Sequence, residues 1–340
     1  MKSYLAELAA FLIAALVSLA IAPLVIRLAT HLEIIDGVEE ERRVHESPTP
    51  RIGGVAVFVG FATALFAVLG FVVGSPHARG AQLDIAHHLI GLLFGSLLIL
   101  GVGLWDDVMQ MRARSKLIAQ VIVAAISMLY GFTITGVNNP FAHAGSTSWI
   151  DFPVWISIPF TLLWYVGMMN AMNFIDGLDG LLAGVTTISG LFLFAIATLH
   201  GNFIVALVVL ALAGGTLGFL PYNFNPARIF LGDAGSLFIG YVFATVTIIG
   251  GSKTAIAISL LVPLVILALP ILDTAVAIVR RAANGRRITD ADRGHFHHQL
   301  IFRFGLGVRQ AVLLIYAVCF ILGMAAFLIS RALTHAGRLV

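Results

Sequence analysis

What most limits how this chain can fold is the recurrence of apolar runs long enough to cross a bilayer. A hydrocarbon core about 30 Å thick takes about 20 apolar residues per helix. Such runs fall at roughly 4–28, 52–74, 87–105, 117–136, 153–171, 181–199, 203–221, 234–250, 255–279 and 309–331. Hydrophobic residues make up 59% and charged residues 11% of the 340, against roughly 45–50% and about 25% in an ordinary soluble domain. So few charges cannot coat a water-soluble surface, and so apolar a chain does not stay disordered. The expectation is an all-α, polytopic integral membrane protein of about ten transmembrane helices, forming a single membrane-embedded domain over residues 1–340. Ala20-Ile21-Ala22 resembles a signal-cleavage site, but Pro23 follows directly, Glu7 lies near the start and the apolar run continues to Ala29. The first span therefore reads as a retained helix. Cys319 is the single cysteine, which excludes an intrachain disulfide and a cysteine-based metal site.

Lys and Arg set the orientation. With loop 29–51 placed inside, 15 of the 20 basic residues fall inside and only Lys2, Arg79, Lys253, Arg331 and Arg338 fall outside. Ten spans then leave both termini outside. The net charge of +3 suits an anionic partner or the lipid bilayer and gives no sign of nucleic-acid binding. Acidic residues crowd the same side, although they do not direct topology. A site holding a divalent metal among basic residues would explain the crowding.

Five clusters at that side could carry chemistry. Asp106-Asp107 ends the third span; adjacent carboxylates at a membrane rim repel unless metal, protons or Arg compensate. They read as metal ligands or as a base for an acidic substrate, or else as a solvated helix end paired with Arg112 and Arg114. Asn170, Asn173 and Asp176 recur at i, i+3, i+6, so they share a helix face, and Asp179 continues the line between Gly177 and Gly180. Hard cations favour such oxygen ligands; the plainer reading is a polar helix end with an Asx turn. Asn223, Asn225, Arg228 and Asp233 precede an apolar span, with Gly232 and Gly235 flanking Asp233. Asp233 there either meets a phosphate through a metal or simply caps the next helix. Arg293-Gly-His295-Phe-His297-His298 lies in the longest inside loop, where it could hold phosphate or shuttle protons or be an ordinary basic loop. Arg42-Arg43-Val-His45, with Arg51 beyond two prolines, could hold an anionic lipid head. Asp273 is the one carboxylate drawn inside the later spans, where charge costs at least about 2.5–3.5 kcal/mol at mid-depth.

Carboxylates, amides, Arg and His around metal ions are the parts of phosphoryl transfer, and a membrane rim implies a lipid reactant. Asp106-Asp107, Asn173-Phe-Ile-Asp176-Gly-Leu-Asp179-Gly180, Asn225-Pro-Ala-Arg228-Ile-Phe-Leu-Gly232-Asp233-Ala-Gly235-Ser236 and His295-Phe-His297-His298 resemble the motifs of the polyprenyl-phosphate N-acetylhexosamine-1-phosphate transferases. The resemblance is closest to the branch acting on N-acetylglucosamine and more distant to the muramoyl-pentapeptide branch, which carries three consecutive His. It implies ten or eleven spans, an active site on the cytoplasmic side of the bacterial inner membrane, and Mg²⁺, with Mn²⁺ as a substitute. It implies a UDP-sugar donor, an undecaprenyl phosphate acceptor and release of UMP, with a homodimer as one assembly. By motif match Asp233 and Asp176 would bind the metal. Asp106, Asp107, Asp176 and Asp179 would be catalytic, with Asp106 or Asp107 taking a proton from the lipid phosphate. Asn173, Asn225, Arg228, Arg293, His295, His297, His298, Arg51 and His45 would bind substrates. The family often has Asp-Asp-x-x-Asp, and here the last place is Gln110, which weakens a two-metal site. A prenyltransferase would also use Asp pairs but usually needs two such clusters and leaves the His loop idle. A transporter would hold its polar residues near the midplane.

The topology is directly testable. Cysteines placed at Ser47 and Thr289 should resist a membrane-impermeant thiol reagent added from the outer side; labelling of either would invert the arrangement.

Overall fold

The computed structural model describes residues 2–36, 49–73, 79–138, 149–250 and 304–335. Nine helices lie among them: α1 (Lys2–His31), α2 (Gly54–Val73), α3 (Arg79–Met109), α4 (Ala113–Leu129), α5 (Val154–Ile175), α6 (Leu181–Leu199), α7 (Phe203–Asn223), α8 (Gly232–Gly250) and α9 (Val308–His335). Seven are long and apolar enough to cross a membrane; in α2 the apolar stretch Gly54–Gly70 is shorter. The chain is an all-α, multi-pass membrane protein. The expected span at 255–279 and Asp273 fall outside the described residues.

Several boundaries differ from the apolar runs, and those of α3, α4 and α5 matter here. Helix α3 starts at Arg79, ahead of the run at 87–105, and extends to Met109, so Asp106 and Asp107 sit in its last turn. Helix α5 continues to Ile175, which puts Asn170 and Asn173 on helix and leaves Asp176 at its end. Helix α4 stops at Leu129, short of 136, because Gly131 turns the chain at φ +86°. Beyond it, β3 (Gly136–Asn138) pairs antiparallel with β4 (Trp149–Asp151), Val137 opposite Ile150. A second small ribbon joins β1 (Ile35–Asp36) to β2 (Thr49–Pro50).

Small residues let the helices approach. Along α1, Ala10, Ala14, Ser18 and Ala22 are fully buried. A Cβ on Gly214 or Gly218 of α7 would lie 2.2 Å from the Phe11 carbonyl oxygen or 2.1 Å from that of Ala15. Without a hydrophobic drive between helices in lipid, backbone contact through small residues supplies the packing. The opposite face of α1 exposes Leu5, Leu8, Leu12 and Leu16, as a lipid-facing surface requires.

Helix α8 is the hub. Nearly all of Ala234–Thr247 is buried, against α3 and α5 above all. Its outer half is fixed by hydroxyls. Tyr241 Oη lies 2.8 Å from Ser127 Oγ of α4, and Tyr165 Oη of α5 lies 3.0 Å from Thr245 Oγ1. The Tyr165 and Tyr241 rings stack at 5.4 Å, and Trp164 donates to Thr247 Oγ1 at 2.9 Å. Its first turn is approached by two glycines. A Cβ on Gly54 would meet Gly235 N at 2.2 Å, and one on Gly103 would meet Ala234 Cα at 2.4 Å.

These clearances separate two glycines of α3 that look alike in sequence. Gly103→Val should cost about 1–3 kcal/mol through overpacking. Gly101→Val, with nothing within 4 Å of its added carbon, should leave the thermal unfolding midpoint nearly unchanged; equal shifts would contradict this packing.

Candidate active site at the shared rim of four helices

The last turns of α3 and α5 and the first turns of α4 and α8 meet at one rim. Helix α8 begins with amides that have no partner inside the helix, and α3 supplies one from outside. Asp107 Oδ1 accepts from Asp233 N at 2.8 Å and Oδ2 from Ala234 N at 2.9 Å. A carboxylate there also meets the positive end of the helix dipole. Gly232, at φ +71°, makes the turn possible: a Cβ would lie 1.8 Å from the Arg51 carbonyl oxygen and 2.6 Å from Asp107 Oδ2.

With its backbone held by Asp107, Asp233 turns its side chain to the other helices. Asp233 Oδ2 meets Lys116 Nζ at 2.5 Å, and Oδ1 accepts from Asn173 Nδ2. Asn173 Nδ2 also donates to Ser236 Oγ at 2.9 Å. The same ammonium is 2.8 Å from Asp106 Oδ2, while Asp106 Oδ1 accepts from Met111 N at 2.6 Å and closes the turn after α3. One cation is thus shared by Asp106 and Asp233. One turn before Asn173, Asn170 donates to Gln120 Oε1 of α4 at 2.7 Å.

Asp176 is different. Its carboxylate makes no hydrogen bond among the described residues. Burial pushes its pKa well above the usual carboxylate range; the charges of Asp233 and Asp107 push it further, and Arg51 opposes them. It is an acid with negative neighbours and too little positive charge.

Asp179 lies on the short turn between α5 and α6 and is 1% exposed. Its Oδ2 accepts from Asn225 Nδ2 and from Ala227 N, both at 2.9 Å. It ties two loops together. Asn223 Nδ2 donates to Ile229 O at 2.9 Å inside the second loop. That loop then pairs with the segment before α2: Phe230 N donates to Pro50 O at 2.8 Å, and Gly54 N to Leu231 O at 2.8 Å. This pairing carries Arg51 to the start of α8. Arg228 is exposed on the same loop. His45, Arg293, His295, His297 and His298 lie outside the described residues.

The structure therefore brings Asp106, Asp107, Asn173, Asp176, Asp233 and Arg51 together. It sets Asp179, Asn225 and Arg228 on the loops beside them. Lys116 is the residue that sequence reasoning passes over, because a charge count absorbs it as one more inside cation. Its signal is its place: it opens an apolar helix ten residues after Asp106. Among the described residues no three His, Cys, Asp or Glu side chains converge as a ready metal cage; Asp107 and Asp179 are turned to amides, and Lys116 stands between Asp106 and Asp233.

Residues 89–251, which hold this whole arrangement except Arg51, match the model of glycosyl transferase family 4. A "probable undecaprenyl-phosphate N-acetylglucosaminyl 1-phosphate transferase" of Bacillus subtilis is 37% identical over 95% of this chain and 85% of its own. The chain belongs to glycosyl transferase family 4. A decaprenyl-phosphate N-acetylglucosaminephosphotransferase of Mycobacterium tuberculosis is 35% identical over 81% of this chain and 71% of its own. More distant is a phospho-N-acetylmuramoyl-pentapeptide-transferase of Desulforudis audaxviator, 30% identical over 92% of this chain and 94% of its own.

The cap makes Asp107 unlike its neighbour Asp106 in one measurable way. Asp107→Asn turns an acceptor into a group with an N–H facing an N–H, and should cost about 1–3 kcal/mol in thermal unfolding as well as activity. An Asp107→Asn protein that unfolds like wild type would deny the cap.

Proposed function

We propose that this family member transfers N-acetylglucosamine 1-phosphate from a UDP-sugar to undecaprenyl phosphate at the cytoplasmic rim of the bacterial inner membrane. UMP is released, and the product is the lipid-linked first intermediate of a cell-surface polysaccharide. The observation that carries this reading is the gathering of Asp106, Lys116, Asn173, Asp176 and Asp233 from four apolar helices at one rim. A reactant anchored in lipid and one dissolved in water can both reach such a place. The names of the relatives support the acceptor class and the sugar.

The chemistry needs little covalent help. A phosphate monoester has its second pKa near 6, so the lipid phosphate is mostly a dianion at pH 7. One of its oxygens attacks the β-phosphorus of the donor, and the bond from that phosphorus to the bridging oxygen breaks. UMP leaves with that oxygen. The protein's work is to hold two anions in line. Lys116 and Arg51 offer positive charge, and Asn173 keeps Asp233 oriented. Asp106 or Asp107 would accept the proton of lipid phosphate that still carries one; both oxygens of each are engaged, those of Asp106 by Met111 N and Lys116 and those of Asp107 by two amides.

The residues also fit a hard divalent cation. Asp233 already shares a cation with Asp106, Asp176 makes no hydrogen bond among the described residues, and all are oxygen donors of the kind Mg²⁺ takes. Asp233 and Asp176 would hold it, and when bound it would supply charge neutralisation for the diphosphate. A prenyltransferase is disfavoured by a specific observation. Asp107 accepts from two backbone amides, and Asp179 accepts from the Asn225 side chain and the Ala227 amide, so one member of each acidic cluster is already engaged within the protein.

Membranes given radiolabelled UDP-N-acetylglucosamine and undecaprenyl phosphate should yield lipid-extractable label and UMP in equal amounts. Asp233→Asn should insert normally and lose at least about 10²-fold in rate. UMP released without acceptor, in a burst equal to the enzyme present, would show a covalent enzyme intermediate and defeat direct transfer.

A further inference from the structure

Helix α9 reaches both loops that Asp179 ties together. Arg309, in its first turn, donates from Nε to the Asn225 carbonyl at 2.9 Å. Tyr316, seven residues on and so on the same helix face, donates from Oη to the Gly180 carbonyl at 2.5 Å. The fit around Tyr316 is close. A Cβ on Gly184 would lie 1.9 Å from its Oη, and Gly180 sits at φ +77° with Phe224 of the second loop against it. Between the two anchored carbonyls runs the Asp179 link to Asn225 Nδ2 and Ala227 N. The result is a closed circuit: α9, the 177–180 turn, Asp179, the 224–228 loop, and α9 again.

Neither Arg309 nor Tyr316 belongs to the clusters read from the sequence, and neither reaches Asp106, Lys116 or Asp233 by any contact among the described residues. Yet the loop they hold carries Arg228, which is exposed, beside Asn225, whose side chain is turned to Asp179. A water-borne diphosphate would meet Arg228, whereas a lipid phosphate would approach from the helix side.

We propose that Arg309 and Tyr316 are positioning residues that clamp the 224–228 loop in register for the sugar-nucleotide donor. The clamp acts through Asp179, and its donor role rests on the transferase reading above. Tyr316→Phe removes one hydroxyl and keeps the ring that fills the Gly184 niche. Arg309→Ala removes the other anchor, and Arg309→Lys retains a donor for the carbonyl.

Two measurements decide it. In the full-length protein in lipid nanodiscs, amide hydrogen exchange at Ala227 and Arg228 should rise by about 10-fold or more in Tyr316→Phe and in Arg309→Ala, with exchange in the buried part of α8 unchanged. In turnover, the donor KM should rise about 5–10-fold while the acceptor KM stays within about 2-fold, and Arg309→Lys should restore most of the loss. A merely stabilising role would lower the unfolding temperature and the active fraction without separating the two KM values. Unchanged exchange at Ala227 in both variants, or donor and acceptor KM moving together, overturns the clamp. Wild-type protein that forms no lipid-linked label overturns the transferase reading instead, and the exchange experiment then still judges the clamp.

Discussion

The grip of Asp107 on the Asp233 and Ala234 amides, in the first turn of α8, organises the rest of the rim. A helix start placed against apolar neighbours would leave its amides unsatisfied, and a carboxylate at the end of another helix would lack a counter-charge. Bringing them together settles both costs at once. The consequences are strict. Gly232 must take a conformation closed to other residues, and Gly54 and Gly103 must lack side chains for α2 and α3 to come close enough. Only then does the Asp233 side chain point at Lys116 and Asn173.

Five carboxylates share this small volume and differ in what they face. Asp107 and Asp179 bind backbone amides and hold shape. Asp106 and Asp233 divide one ammonium between them. Among the described residues, Asp176 is left with three negative neighbours, Asp233, Asp107 and Asp179, and one positive one, Arg51. Helix polarity sharpens the imbalance. The α3 and α5 C-termini point negative dipole ends at the site, and the positive ends there belong to α4 and α8.

Much of this was legible in the sequence, and the limits have physical causes. An apolar run marked each of the nine described helices, since a bilayer imposes one length on every span, although α3 starts at Arg79, ahead of its run at 87–105. The run at 117–136 failed at its end because hydropathy cannot see Gly131 turning the chain at positive φ. The clusters at 106–107, 170–179 and 223–236 could be assigned to one rim because strongly biased basic loops fix which ends share a side. Which carboxylate faces a substrate could not be read. Asp106 and Asp107 are neighbours in sequence and differ by about 100° of helix rotation, and this rotation is set by where α8 lands. Lys116, Arg309 and Tyr316 stayed hidden because each acts on a partner more than 80 residues away.

The hydroxyl contacts of α8 with α4 and α5 imply something about how its two ends are coupled. Ser127, Tyr165 and Trp164 grip the outer half of that helix at three heights, so it cannot rotate or slide without breaking several buried hydrogen bonds. It behaves as a keyed shaft. Asp233 at its inner tip inherits that fixity and is a stationary reference point for the rim, so adjustment there falls to the loops that surround the shaft.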